Sequence, residues 1–276
     1  MTARRVAILG GGKMGEALLS GLTRSGTRTA EEIMVTARRE ERAAELAERH
    51  GVAVTLSNEE AVAWAPTLVL AVKPQDMESL LAQVAGHVTA DHLVVSVAAG
   101  IRTAFIQRRL HAEVPIVRVM SNVPVLVDEA MSVISPGPHA GDKHLAVAEE
   151  LLAGVGRVIR LAEEHQDAAT ATSGSGPAYF ALLAEAMIDG CILLGLSRDV
   201  ATELIVQTML GSARMLRDTG MHPVELREMV TSPGGTTIVA IRHLEQAGVR
   251  AAFLNAIDAA RQRSAELAKG DDAEEA

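Results

Sequence analysis

A strand-like run that ends in clustered glycines, near the start of the chain, constrains the fold more than any other feature. The sequence reads Val6-Ala-Ile-Leu-Gly10-Gly11-Gly12-Lys13-Met14-Gly15 and then continues as a helical pattern to residue 25. With this G-x-G-x-x-G spacing, Gly10 makes the tight turn, Gly12 lets a phosphate approach the backbone and Gly15 lets the helix pack on the strand. The pattern predicts a strand–turn–helix unit that binds a dinucleotide.

Apolar runs and helical patterns alternate through the first 162 residues. The apolar runs are 6–10, 33–36, 52–55, 67–72, 92–97, 116–120, 131–135 and 158–161, and helical patterns between them include 39–50, 76–85 and 144–152. Continuously apolar strands separated by helices favour a doubly wound, mostly parallel sheet. From residue 163 only helical patterns follow. We therefore predict an α/β Rossmann-type domain over residues 1–162 and an all-α dimerisation domain over residues 163–276.

Composition narrows the class of function. The 276 residues carry a net charge of −9 and only 2% aromatic residues, which argues against a nucleic-acid partner. No run of 18 apolar residues is present, so we expect no membrane span. Cys191 is the only cysteine, which fits a reducing, cytoplasmic setting. The nine histidines show no metal-ligand spacing, and we expect no metal.

The end of the second strand indicates which dinucleotide is bound. NAD-specific sites place an acid there for the ribose 2′-OH, whereas this chain has Thr36, Arg38 and Arg39. A hydroxyl and two guanidinium groups suit a 2′-phosphate, so we predict NADP in preference to NAD. The alternative is that both arginines only begin a solvated helix.

Other strand ends supply further candidates, because open α/β sheets bind ligands beyond the carboxyl ends of their strands. Residues 96–100 are small, as a nicotinamide ring against backbone requires. Lys73 either steers phosphate or substrate or is simply solvated. Asn58 either caps a helix or faces the adenine ribose. Residues 118–124 either line the substrate side of the cleft or only turn the chain.

The second half contains five further helical patterns, at 178–194, 199–217, 223–230, 238–246 and 250–267. The helix over 178–194 is apolar on nearly every face, which predicts burial against a second subunit and hence an obligate dimer. Glu185 is the odd residue in that helix, and it either pairs within the interface or faces the cleft.

The stretch Met229-Val-Thr-Ser-Pro-Gly-Gly-Thr-Thr237 precedes one of these helices. A proline turn followed by two glycines lets the backbone approach a ligand, and the free N–H groups of a helix start favour an anion. The alternative is an ordinary turn capped by Thr236.

The chain resembles the pyrroline-5-carboxylate reductase family in segments that keep the family's order over almost the whole length. The matching segments are 10–14, 71–74, 96–100, 118–122, 173–179 and 222–238. One departure is Ser121, where many members have proline. The resemblance implies reduction of the C=N bond of Δ1-pyrroline-5-carboxylate to L-proline by NADPH or NADH, the last step of proline biosynthesis. It also implies a homodimer interlocked through the helical domain, which in several members assembles further into a decamer.

The resemblance also implies site residues. The implied cofactor contacts are Leu9, Gly10, Gly11, Gly12, Lys13, Met14, Thr36, Arg38, Asn58, Ala71, Val72, Lys73, Pro74, Val97, Ala98 and Ala99, and the implied substrate-binding residues are Ser232, Gly234, Gly235, Thr236 and Thr237.

The implied mechanism begins with the substrate carboxylate. We expect it on the backbone N–H groups of Gly234, Gly235 and Thr236, with the imine carbon against the nicotinamide. Thr237 is then the hydroxyl expected to hydrogen-bond the ring nitrogen, as donor or as a relay from water.

Two other classes remain open. One is another NADP-dependent imine reductase or a β-hydroxyacid-dehydrogenase-like enzyme. The latter uses a catalytic lysine in its helical domain, and this helical half has none before Lys269. The other is a non-catalytic dimer that senses NADP.

Overall fold

The computed structural model of the protein describes residues 4–110 and 112–273. All eight predicted strands are present, with ends within two residues of the predicted ones. They are β1 Val6–Leu9, β2 Ile33–Thr36, β3 Ala53–Thr55, β4 Thr67–Leu70, β5 Leu93–Ser96, β6 Ile116–Met120, β7 Ala130–Pro136 and β8 Gly156–Arg160. They form one sheet in the order β3-β2-β1-β4-β5-β6-β7-β8. The predicted Rossmann-type fold is confirmed.

One strand pair departs from the parallel arrangement. Strand β7 runs antiparallel to β6, with Met120 opposite Val133, whereas the other six pairs are parallel. Only a short connection, with one 3₁₀ turn at Val123–Val127, joins β6 to β7. A parallel return needs a crossover of a dozen or more residues, so this connection can only reverse the chain.

Helices cover both faces of the sheet. Those associated with the sheet are α1 Lys13–Arg24, α2 Glu40–His50, α3 Asn58–Trp64, α4 Met77–Val84, α5 Thr103–Leu110, α6 Asp142–Ala153 and α7 Gln166–Ala169. Alternate residues of one strand enter opposite cores: Ile8 packs with residues of α1 and α6, and Leu9 with residues of α3, α4 and α5. This three-layer arrangement buries the central strands, which is why their sequences are continuously apolar, whereas the edge strands β3 and β8 are partly exposed.

The structure corrects the role of Asn58 as a cap. Ser57 is the N-cap of α3, and its hydroxyl accepts from the N–H of Glu60 at 3.1 Å, whereas Asn58 is the first helical residue. Ser57 lies one residue earlier with an extended backbone, the conformation that an N-cap requires.

The polar run before residue 177 is helical. A 3₁₀ turn at Glu163–His165 leads through α7 into a π turn at Thr170–Gly174, and α8 follows at Gly176–Leu193. The N–H of Ser175 donates to the carbonyl of Thr170 at 2.9 Å. Helix α8 therefore begins two residues before the predicted start at residue 178, and Pro177 is its second residue. The hydroxyls of Thr170 and Thr172 donate to carbonyls one turn back, a contact that often accompanies a bend in a helix.

The remaining helices are α9 Arg198–Thr219, α10 Pro223–Met229, α11 Thr236–Gln246 and α12 Val249–Ala273. Ser197 caps α9 as its position suggests, and Gly220 ends that helix with φ +67°. Helix α11 begins two residues earlier than the apolar pattern indicates, so Thr236 and Thr237 lie in its first turn.

The described residues form two compact units. One, the sheet unit, comprises the described residues within Met1–Ser175 and Ala260–Ala276, and the other, the helical unit, is Gly176–Ala259. In the sheet unit, Ser264 of α12 donates to the carboxylate of Asp167 at 2.7 Å. The predicted domain division between residues 162 and 163 stays a prediction.

One helical stretch, Glu163–Leu193, is long and apolar enough to cross a membrane by length and composition, with a mean hydropathy of 1.3. A single stretch of this kind is weak evidence for a membrane span. The expectation of no span, which was based on unbroken apolar runs, stays a prediction.

Candidate functional site

The glycine-rich turn after β1 is packed tightly against the next strand end. Gly10 has φ +115°, and a Cβ placed on it would lie 3.0 Å from the backbone of Ala71. A Cβ on Gly15 would lie 2.1 Å from the carbonyl oxygen of Gly10. These distances confirm the predicted geometric roles: Gly10 makes the turn, and Gly15 brings α1 close to the strand.

Gly12 differs from these two glycines because its environment is open. A Cβ on Gly12 would meet no described heavy atom within 4 Å. Gly12 is the N-cap of α1 and provides no side-chain cap, so the first N–H groups of that helix keep their donor capacity. An open, uncapped helix start beside a glycine turn fits a pyrophosphate.

Strand β2 holds the glycine turn from the other side. The N–H of Gly10 donates to the hydroxyl of Thr36 at 3.0 Å, and the N–H of Gly11 donates to the carbonyl of Thr36 at 2.7 Å. Thr36 is buried, so the structure places this predicted cofactor residue beneath the turn. Its hydroxyl shapes the loop whether or not it also touches a ligand.

The two predicted 2′-phosphate arginines lie in solvent. The side chain of Arg38 is 81% exposed and lies 3.2 Å from the carboxylate of Asp76. Arg39 is also exposed and is the N-cap of α2. Exposed guanidinium groups at the end of β2 remain able to pair with an incoming phosphate.

A charged network under the glycine turn was not predicted from the sequence. The carboxylate of Glu16 accepts from Arg42 at 2.5 Å and from Arg49 at 2.6 Å, and lies 3.1 Å from His50. Both arginines also contact Glu45. Partial burial would raise the pKa of Glu16, but the hydrogen bonds from Arg42, His50 and Arg49 outweigh it and lower the pKa to about 2. In the sequence, the only indication of this network is that one face of α2 is charged.

The ends of β4 and β5 meet the glycine turn at the same edge of the sheet. The N–H of Ala71 donates to the carbonyl of Leu9 at 2.9 Å, and that of Val97 to the carbonyl of Leu70 at 3.0 Å. The chain leaves β1 towards β2 on one side and β4 lies on the other, so this edge is a topological switch point. The structure thus brings the predicted cofactor residues at the ends of these strands together at one edge of the sheet.

These strand-end residues differ in exposure. Ala71 and Ala98 are buried, Val72 and Val97 are partly buried, and Lys73, Pro74 and Ala99 are exposed. At the turn, Lys13 is exposed and Met14 packs on the sheet core. Asn58 is partly buried and donates to the side-chain oxygen of Gln83 at 2.8 Å. Its predicted contact with the adenine ribose stays a prediction.

Asn122 braces three segments beyond β6. Its side-chain amide donates to the carbonyl of Ser173 at 3.0 Å, and its oxygen accepts from the N–H of Met131 at 2.9 Å. Ser121, the departure from the family pattern, accepts from the hydroxyl of Ser132 at 3.0 Å. Residues 121 and 122 therefore support the π turn and β7.

A second buried polar contact links β6, α5 and the segment after β8. Glu163 accepts from the N–H of Thr103 at 2.9 Å and from its hydroxyl at 2.6 Å. The same carboxylate lies 3.2 Å from the guanidinium of Arg118, whose side chain is only 5% exposed. This contact supports the start of α5, which follows the small residues at the end of β5.

The helical unit presents the second predicted site. Ser232 to Gly235 form a tight turn in which the N–H of Gly235 donates to the carbonyl of Ser232 at 3.1 Å. Pro233 occupies the second position, and Gly234, with φ +67°, the third, as in a type II turn. A Cβ on Gly235 would lie 2.3 Å from the hydroxyl oxygen of Ser232. The turn therefore requires glycine at position 234 for its positive φ, and Gly235 leaves room for the hydroxyl of Ser232.

This turn changes two expectations. Gly235, not Thr236, is the N-cap of α11, and it supplies no side-chain cap. We predicted that the N–H of Gly235 binds a carboxylate. In the structure this N–H is used within the turn and is not free to do so. The N–H groups of Thr236 and Thr237 belong to the first turn of α11 and have no intrahelical acceptor. Thr237 is partly buried, and within the described part of the helical unit its hydroxyl has no hydrogen-bond partner.

Comparisons with known proteins agree with both halves of the chain. Residues 163–267 match the family model described as pyrroline-5-carboxylate reductase dimerisation, and residues 5–100 match that described as NADP oxidoreductase, coenzyme F420-dependent. A pyrroline-5-carboxylate reductase of Methanosarcina acetivorans is 42% identical over 269 residues, 98% of this chain and 100% of that protein. One from Corynebacterium melassecola is 42% identical over 267 residues, 96% of this chain and 98% of that protein.

Solved structures give the same result. A pyrroline-5-carboxylate reductase from Coxiella burnetii superposes with a TM-score of 0.91 at 35% identity, covering 97% of this chain and 99% of that one. The Plasmodium falciparum pyrroline carboxylate reductase with NADP bound superposes with a TM-score of 0.86 at 27% identity, covering 97% and 99%.

Proposed function

Because the chain belongs to the pyrroline-5-carboxylate reductase family, we propose that it reduces Δ1-pyrroline-5-carboxylate to L-proline with NADPH as the preferred reductant. The observation that carries this proposal is similarity over the full chain, at 42% identity to a relative of that name. The alternative, another NADP-dependent imine reductase or a β-hydroxyacid-dehydrogenase-like enzyme, has no comparable support.

The cofactor is proposed to lie along the switch-point edge of the sheet. The open helix start at Gly12 binds the pyrophosphate, and Arg38 and Arg39 bind the 2′-phosphate. The small residues at the ends of β4 and β5 leave room for a ring against backbone. The remaining proposed contacts are Leu9, Gly10, Gly11, Lys13, Met14, Thr36, Asn58, Ala71, Val72, Lys73, Pro74, Val97, Ala98 and Ala99. When bound, the cofactor supplies a hydride to the imine carbon.

The substrate carboxylate is proposed to bind at the start of α11. The N–H groups of Thr236 and Thr237, together with that of Gly234, are donors at the positive end of the helix dipole. Gly235 and Ser232 contribute the turn that exposes them. This assignment replaces the Gly235 N–H with that of Thr237 as a carboxylate donor.

Thr237 is proposed to act at the ring nitrogen. Reduction makes this nitrogen more basic, so a proton must be present or delivered. A threonine hydroxyl is a weak acid, and its role is therefore to hold a protonated imine or to relay a proton from water. Its hydroxyl has no partner within the described helical unit and is available for this hydrogen bond.

The helical unit is proposed to form a homodimer. In the single chain, Phe180 is 63%, Leu182 67% and Leu193 89% exposed, and all three belong to α8. Exposed apolar surface of this extent is typical of an interface, and the match to a dimerisation model supports a second copy as the occupant. Glu185 is exposed on the same helix. Assembly into a decamer, a cytoplasmic location and the absence of nucleic-acid and membrane partners complete the proposal.

A spectrophotometric assay tests the function. Purified protein with NADPH should lose absorbance at the nicotinamide band only when pyrroline-5-carboxylate is added, and more slowly with NADH at equal concentration. The cyclic imine 1-pyrroline, which lacks the carboxylate, serves as the matched control and should react poorly. Equal rates with both imines would favour a general imine reductase. No oxidation with either imine would overturn the proposal.

A further inference from the structure

The peptide group between Gly11 and Gly12 is held by a residue from outside the glycine turn. The side-chain Nε–H of Arg42 in α2 donates to the carbonyl oxygen of Gly11 at 3.0 Å. On the other side of Gly11, the N–H donates to the carbonyl of Thr36 at 2.7 Å. Because a peptide group is planar, the carbonyl of Gly11 and the N–H of Gly12 turn together and point in opposite directions. Arg42 therefore sets the direction of the Gly12 N–H.

That direction matters because Gly12 stands at the open start of α1. A Cβ on Gly12 would meet no described atom within 4 Å, which leaves space for a ligand at this point of the turn. Glycine on both sides of the peptide leaves its orientation poorly restrained by the local backbone. A contact from α2 to the peptide group itself favours one orientation.

Arg42 is itself fixed and its charge is compensated. Its side chain is 21% exposed, and its two terminal nitrogens lie 2.5 Å from Glu16 and 2.7 Å from Glu45. A guanidinium engaged by two carboxylates and a carbonyl is poorly placed to read a 2′-phosphate, in contrast to Arg38, which is 81% exposed.

We propose that Arg42 is a positioning residue for the cofactor: it holds the Gly11–Gly12 peptide so that the Gly12 N–H donates to the pyrophosphate. The proposal rests on the proposed function for the presence of a dinucleotide. Since NADPH and NADH share the pyrophosphate, Arg42 affects both cofactors equally. This separates it from a residue that reads the 2′-phosphate.

Arg49 provides a matched control. It lies 2.6 Å from Glu16 and 2.6 Å from Glu45, the same two carboxylates that Arg42 contacts, but no contact with the glycine turn is described for it. Replacing either arginine removes ion pairs of the same network. Only the replacement of Arg42 also frees the Gly11 carbonyl.

The test measures binding of NADPH and NADH by titration calorimetry to the full-length wild type, R42M, R42K and R49M. We expect R42M to raise the dissociation constants of both cofactors by about tenfold or more, because a hydrogen bond to a charged ligand is lost. The ratio of the two constants and the turnover at saturating NADPH should stay at the wild-type values. R49M should bind within about twofold of wild type, since it removes exposed ion pairs only.

R42K keeps the positive charge but cannot reach both carboxylates and the carbonyl at once, so it should also weaken both cofactors. It carries the test if R42M fails to fold. Equal effects of R42M and R49M would overturn the proposal, as would a loss confined to NADPH. If the wild type binds neither dinucleotide, the proposed function fails as well, which is a distinct result.

Discussion

The guanidinium of Arg38 lies 3.2 Å from the carboxylate of Asp76, across the space between the ends of β2 and β4. If Arg38 binds the 2′-phosphate, Asp76 competes with that phosphate for the same charge. We expect D76N to lower the dissociation constant of NADPH by about 1.5- to 5-fold, since exposed ion pairs are worth roughly 0.2–1 kcal/mol. Binding of NADH should not change. Calorimetric titration with both cofactors measures the difference, and equal shifts for both would contradict the competition.

Replacing both arginines at the end of β2 should weaken the binding of NADPH. R38A/R39A should raise the Michaelis constant for NADPH by about tenfold or more, because charged hydrogen bonds to phosphate are lost. The constant for NADH should stay within about twofold of wild type, because exposed charges contribute little elsewhere. Steady-state kinetics with each cofactor measure the two values. An unchanged Michaelis constant for NADPH would show that both arginines only begin a solvated helix.

The elements of the fold were predictable because each depends on local pattern. Gly10, Gly12 and Gly15 specify the turn after β1 by their spacing, and continuous apolar runs mark buried strands. Contacts between distant segments were not predictable. The Glu16–Arg42 pair joins residues 26 apart, and Asn122 reaches Ser173, 51 residues away. Such contacts depend on which helix faces pack together, and the sequence shows only that the faces are charged or polar.

The turn from Ser232 to Gly235 also combines a feature that the sequence predicts with one that it does not. Its proline and glycines predicted a turn before a helix, which the structure confirms. The use of the Gly235 N–H inside the turn was not predictable, because many turns of this kind lack that hydrogen bond. The π turn at Thr170–Gly174 was not predicted because Ser and Gly normally indicate a break, and the hydrogen bond from Ser175 to Thr170 that closes the turn cannot be read from residue types.

The hydroxyl of Thr237 offers a direct test of the proposed chemistry. T237V keeps the shape of the side chain and the backbone N–H but removes the hydroxyl. We expect turnover to fall by about tenfold or more, as for the loss of a hydrogen bond to a charged group. NADPH binding should be unchanged. T237S keeps the hydroxyl and should retain most of the turnover. Wild-type turnover of T237V would rule out a role at the ring nitrogen.

Glu163 tests whether the contact with buried Arg118 stabilises the sheet unit. E163A leaves the guanidinium of Arg118, which is 5% exposed, without this carboxylate and removes both contacts to Thr103. We expect a loss of about 2–3 kcal/mol in the free energy of unfolding, below the full range for buried pairs because Glu163 is 26% exposed. E164A is the control, because Glu164 is 79% exposed. Urea unfolding should show a change of no more than about 0.5 kcal/mol for E164A.

The lowered pKa of Glu16 predicts how stability depends on acidity. Hydrogen bonds from Arg42, His50 and Arg49 outweigh burial and lower this pKa from 4.5 to about 2 in the folded chain. The unfolded chain therefore takes up the proton first as pH falls, so the contribution of Glu16 is present above pH 4.5 and is lost between 4.5 and 2. Urea unfolding at several pH values should show a steeper loss for wild type than for E16Q. E48Q, which alters an exposed acid of α2, should follow wild type. Parallel curves for wild type and E16Q would show that these three hydrogen bonds do not stabilise the charged form of Glu16.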